Sequence, residues 1–190
     1  LWTHHPSRDV AAITVKAPPA FAKAAIPQTY LAADDSFDRY QVNTGDEMMA
    51  LGFPRGLSAN SAGFPILRSG RVASYPLAPA NVFPTFLLDF SVFPGNSGGP
   101  VFVKRAAAPP AEGVSKASGA SEPAGFIAGM LTQQVELNNE RLEIGIVTQA
   151  KYIRETIAML QDPKAAPTTV ADTPPVDGAK TAAAAEATPE

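Results

Sequence analysis

Apolar residues recur in short runs from Thr44 to Thr148, and glycine, proline or serine breaks the runs at close intervals. Runs of this length and spacing predict the short strands of an antiparallel barrel. The predicted strands cover 46–52, 64–74, 85–90, 100–104, 125–134 and 142–148. Pro54, Pro65, Pro76 and Pro84 fall at run ends, where a residue without an N–H interrupts no ladder. An earlier run, Val10–Val15, predicts one more strand after a turn and is stopped by Ala17-Pro18-Pro19-Ala20. From Gln149 the period changes. Ile153, Ile157 and Leu160 stand three to four apart with Lys151, Arg154 and Glu155 between them, the spacing of an amphipathic helix.

Three stretches fall outside this pattern. Residues 31–43, with acidic Asp34-Asp35-Ser36-Phe37-Asp38, read as a connection between a first lobe at 1–30 and a second at 44–161. Residues 105–124 are rich in small residues and read as a mobile insertion between two strands. Beyond Gln161 the chain is rich in Ala, Pro and Thr, which predicts a disordered tail at 162–190.

Composition narrows the function. At 190 residues and 45% hydrophobic, the chain can bury a core. Its net charge of −3 and lack of a basic stripe argue against a nucleic-acid partner. No apolar run is long enough for a membrane-spanning helix. There is no cysteine, so no disulfide supports the fold and the redox compartment stays open.

The chemistry concentrates between two predicted strands, at Phe93-Pro94-Gly95-Asn96-Ser97-Gly98-Gly99-Pro100. A serine among glycines on a tight turn suits a nucleophile. Gly95 lacks a Cβ, so its N–H can approach a reacting carbonyl oxygen. With the Ser97 N–H it forms a candidate oxyanion hole. A plain turn is the alternative for the pentapeptide alone. A phosphate-binding loop is excluded, because no Lys-Ser/Thr pair and no helix pattern follow.

Pro94–Pro100 resembles the nucleophile motif of the trypsin-like serine peptidases, in the form of their bacterial HtrA-like branch. Further matches follow in the family's order. His5-Pro6-Ser7-Arg8-Asp9-Val10-Ala11-Ala12-Ile13 resembles the segment that carries the triad aspartate, and Asp9 stands 88 positions before Ser97. The stretches 45–54 and 68–74 resemble the opening strands of the second barrel. The stretches 144–148 and 152–154 resemble its last strand and the C-terminal helix. The resemblance implies an all-β, chymotrypsin-like fold of two six-stranded barrels, the first incomplete here, closed by a C-terminal helix. It implies Ser97 as nucleophile, Asp9 as the carboxylate that orients a histidine, and no cofactor. Protein or peptide is the implied substrate. Ser91, six positions before Ser97, falls at the base of the specificity pocket, where trypsin has an aspartate. A small uncharged residue there points to a neutral P1 side chain. Thr132 and Gln133 fall where an extended substrate pairs as an added strand.

One triad member is out of place. The only histidines are His4 and His5, just before Asp9, whereas the family's histidine precedes the aspartate by several strands. Both read as surface loop residues, and no further ligand is spaced to make a metal site with Asp9. The expectation is therefore that strands carrying the histidine precede Leu1. The chain as written is then a very poor hydrolase or none, and the Val10–Val15 strand has lost its partners and has an open edge. A non-catalytic relative that binds extended peptides is the rival reading, and a β-domain with a chance serine loop the third.

Asn96 occupies the position where animal digestive enzymes place an aspartate that pairs with a newly cut N-terminus. An amide cannot make that ion pair, so proteolytic trimming is expected to leave activity unchanged. A rise in activity on trimming, abolished by acetylating the new N-terminus, would overturn this.

Overall fold

The computed structural model describes residues 2–104, 125–138 and 140–162. The expected insertion at 105–124 and the tail from 163 lie outside the described residues.

Two strands open the chain, β1 (Trp2–His4) and β2 (Ala11–Ile13), and form an antiparallel two-stranded sheet of their own. Short helices α1 (Pro19–Ala22) and α2 (Ser36–Arg39) follow. Then come β3 (Glu47–Gly52), β4 (Ile66–Val72), β5 (Thr85–Asp89), β6 (Pro100–Lys104), β7 (Gly125–Leu137) and β8 (Glu140–Gln149). These six close into an antiparallel barrel of order β3-β4-β5-β8-β7-β6. Helix α3 (Ala150–Gln161) ends the described chain. An all-β fold with a closed six-stranded barrel and a terminal helix is what the hydrophobic pattern predicts.

Strand alternation builds the core. Met48 and Ala50 on β3, Phe86 and Leu88 on β5, Val101 and Val103 on β6, and Phe126 and Ala128 on β7 point inward, with their neighbours more exposed. The 31–42 stretch also contributes Ala32, Phe37, Tyr40 and Val42 to this core. Phe37 meets Phe86 and Phe126 edge-on, and Tyr40 meets Phe126 at 4.9 Å between centroids. Leu31 forms an isolated bridge to Ile127, and the Ala32 N–H donates to the Ile127 carbonyl at 2.9 Å.

Two details differ from the sequence pattern. The Val10–Val15 strand is shorter, Ala11–Ile13, and it is paired rather than partnerless, because Trp2–His4 form a strand that three residues are too few to signal by period. Helix α3 buries Tyr152, Thr156 and Met159, one position round from the expected Ile153, Ile157 and Leu160, which are half-buried. The cause is that α3 packs on the β1–β2 hairpin as well as on β7 and β8. Tyr152 meets both sides, His5 of the hairpin and the Ala80 carbonyl, so the buried stripe is set by two partners and shifts from the one the sequence pattern picks.

Leu88 is fully buried on β5, opposite Gly145. Leu88→Ala is expected to lower unfolding free energy by about 2–5 kcal/mol, measured by urea denaturation. Half-buried Leu87, on the other face, is expected to lose less on truncation. Equal losses at the two positions would contradict the inside–outside assignment of β5.

Candidate active site

The turn that carries Ser97 leaves β5 and enters β6 at Pro100. It is held from both sides by backbone. On one side the chain continuing from β3 runs beside it. The Phe53 N–H donates to the Gly95 carbonyl at 3.1 Å and the Arg55 N–H to the Pro94 carbonyl at 2.6 Å. On the other side the Gly98 N–H donates to the Leu131 carbonyl at 2.8 Å, and the Leu131 N–H donates to the Gly99 carbonyl at 2.9 Å. Within the turn, Asn96 N–H donates to the Phe93 carbonyl and Gly99 N–H to the Asn96 carbonyl, both at 3.0 Å.

This packing explains two glycines. Gly95 has φ +93°, and a Cβ there would lie 2.1 Å from the Phe53 carbonyl oxygen. A Cβ on Gly99 would lie 2.0 Å from the Leu51 carbonyl oxygen. Close approach of two backbones, as well as access to a reacting group, therefore demands glycine here. Ser97 itself is exposed, and its hydroxyl is hydrogen-bonded to no other described residue. The N–H groups of Gly95 and Ser97 likewise donate to no carbonyl among the described residues. A free hydroxyl beside two free N–H groups can present a nucleophile and receive a developing negative charge.

The expected substrate contacts lie close by in the chain's hydrogen bonding. Thr132 and Gln133 directly follow Leu131, which is bonded to the serine turn. Thr132 is the extra residue of a bulge between Leu131 and Gln133. Its hydroxyl meets the Ile146 carbonyl at 3.3 Å and the Thr148 hydroxyl at 3.2 Å, so its side chain is turned to β8, while Gln133 is exposed. Ser91 is half-buried, and its carbonyl accepts from Arg68 Nη1 at 2.6 Å. The Arg68 guanidinium also lies over the Phe90 and Phe93 rings, at 5.4 and 5.3 Å, and Arg55 lies 5.2 Å from the Phe93 centroid. Sequence reasoning passed over both arginines, which are isolated cations in a chain of net negative charge.

Residues 2–107 match a sequence model described as a trypsin-like peptidase domain, a segment that includes both Asp9 and Ser97. The chain belongs to the trypsin-like peptidase family. Among solved structures 52 chains match, and one similar to this chain is described as the HtrA-type protease AlgW with decapeptide. It shares 19% identity at a TM-score of 0.42, and the match covers 69% of this chain and 32% of that one. The chain thus spans about a third of that structure's length. No curated protein matches.

In this peptidase domain Asp9 is exposed on the bend between β1 and β2, and it makes no hydrogen bond or ion pair with any described residue, Ser97 included. His5 is not the surface residue the sequence implies. It is 6% exposed, its Nδ1 accepts from the Ser7 N–H at 3.2 Å, and its Nε2 lies 3.0 Å from Glu155 Oε2. Because Nδ1 accepts, Nε2 carries the hydrogen and donates to the carboxylate. The ring also meets Tyr152 edge-on at 5.2 Å. The contact that buries it lies 150 residues along the chain, beyond any local pattern. Glu155 also pairs with Lys151 at 2.9 Å, and that hydrogen bond raises the Lys151 pKa against the opposing effect of burial. The pair's contribution is present below the ordinary lysine pKa and is lost as pH rises through the raised one.

Gly98 has φ +84° but open space where a Cβ would stand. Gly98→Ala is therefore expected to cost about 1–2 kcal/mol, for conformation alone. Gly95→Ala is expected to cost more, because overpacking adds about 1–3 kcal/mol to that strain. Urea denaturation of the two variants checks the order, and the reverse order would contradict the backbone clamp.

Proposed function

We propose that the chain carries the nucleophile of a serine endopeptidase that acts through an acyl-enzyme. The observation that carries this reading is Ser97, exposed and with its hydroxyl unbonded among the described residues, on a clamped glycine turn inside the family-matched segment. Ser97 Oγ attacks the scissile carbonyl while a histidine takes its proton. The Gly95 and Ser97 N–H groups hold the resulting oxyanion. The C–N bond then breaks and the amine leaves with the histidine's proton. Water, deprotonated by the same histidine, releases the acid and restores the serine. Asp9 orients that histidine, and Ser91, Thr132 and Gln133 contact the protein or peptide substrate. No step requires a cofactor.

In this reading the base is neither histidine of this chain: His5 is committed to Glu155, and His4 is an exposed residue of β1, on the same hairpin as Asp9. The 190 residues on their own are accordingly a poor hydrolase, since loss of one triad member costs roughly 10⁴-fold or more in rate. The same observation supports a second reading, a non-catalytic relative that binds extended peptides along β7 from Thr132.

A fluorophosphonate probe separates the two. The protein at its native length is expected to be labelled, with labelling lost in Ser97→Ala and at least about 10⁴-fold slower in the isolated 190 residues. Absence of labelling at native length, together with retained peptide binding, would overturn the enzyme reading in favour of the binder.

A further inference from the structure

We propose that Arg68 and Arg55, set about Phe93, form a carboxylate-recognising subsite beside Ser97, so that the bound peptide carries a carboxylate next to the reacting bond. This deepens the reading above and rests on it. Phe93 is fixed to the nucleophile turn, because its carbonyl accepts from the Asn96 N–H at 3.0 Å. Both guanidinium groups lie over its ring, Arg68 at 5.3 Å and Arg55 at 5.2 Å. A cation on an aromatic face within about 6 Å is held in orientation as well as attracted.

Arg68 is the better organised of the two. Half-buried on β4, it stacks on Phe90 as well and spends one nitrogen on the Ser91 carbonyl at 2.6 Å. A guanidinium has five N–H donors in a planar fork, so most of its capacity is left over. Neither arginine pairs with a carboxylate among the described residues, whereas Arg154 and Arg141 pair with Asp34 and Glu136. Arg55 stands where it does through a non-glycine backbone at φ +54°, in a turn anchored by its N–H to the Pro94 carbonyl. That conformation costs on the order of 1 kcal/mol and is kept only where the surroundings impose it. Two cations without a carboxylate among the described residues, Arg68 on the Ser91 carbonyl and Arg55 across Phe93, change the local chemistry that Ser91 alone suggested. The small serine leaves room, and the arginines supply charge for an anionic group. A carboxylate fits the planar fork, through paired charge-assisted hydrogen bonds. It can come from an Asp or Glu side chain or from a peptide C-terminus.

The test is fluorescence polarisation of labelled peptides on the native-length protein carrying Ser97→Ala, which binds without turnover. The peptides differ only by Glu or Gln at one scanned position, and by a C-terminal acid or amide. One acidic member is expected to bind roughly ten- to a hundredfold tighter than its neutral counterpart. The Glu/Gln arm reports a side-chain source and the acid/amide arm a terminal one. Arg68→Gln is expected to reduce that preference to near unity, and Arg55→Gln to reduce it several-fold. Arg55 is exposed and its anchoring bond is through the backbone, so its variant keeps the test valid if Arg68→Gln fails to fold. Peptides that bind with no acid preference, or a preference unmoved by Arg55→Gln and Arg68→Gln, would overturn the subsite and leave the peptidase reading intact. Failure of every peptide to bind would overturn both.

Discussion

The site depends on a backbone-to-backbone clamp. The chain leaving β3 and the chain in mid-β7 grip the serine turn through four main-chain hydrogen bonds, two on each side. Main-chain grips leave no slack for side chains, which is why Gly95 and Gly99 stand where a Cβ would meet a carbonyl oxygen. The barrel sets the clamp. β6 starts at Pro100, directly after the turn, and pairs with β3 at Ala50–Val101 and with β7 at Val101–Gly129. Ser97 is thus displayed at the point where closure of the barrel brings its two neighbouring strands together.

The same closure explains why so much of the fold was legible. Each barrel strand has one face on a shared interior, so alternation of the Phe86/Leu88 and Val101/Val103 kind survives in the sequence. The serine turn was legible because a serine among glycines stands out by itself, although the carbonyls that demand Gly95 and Gly99 belong to Phe53 and Leu51. What was not legible depends on distant partners. His5 owes its burial to Glu155 and Tyr152, and the buried stripe of α3 is set by the hairpin as well as by the barrel. Arg68 looked like any strand cation until the fold set it against Phe90, Phe93 and the Ser91 carbonyl. No local period records such contacts.

The two residues singled out for catalysis therefore sit on differently built supports. Ser97 stands on a turn tied into a continuous ladder. Asp9 stands on a two-stranded sheet whose strands pair only with each other among the described residues. What holds that sheet to the barrel is α3. His5 meets Glu155 and Tyr152, the Arg8 guanidinium lies 5.1 Å from the Tyr152 ring, and the Tyr152 hydroxyl donates to the Ala80 carbonyl at 2.8 Å. An isolated two-stranded ribbon is marginal in water, so side chains on one helix, rather than a β-ladder, fix where Asp9 lies relative to Ser97. A β-ladder shares its load over many main-chain bonds, whereas this joint turns on a few side chains around Tyr152. Changes in α3 thus bear on the aspartate's position before they bear on the barrel, although the helix makes no hydrogen bond to Asp9 or Ser97 themselves among the described residues.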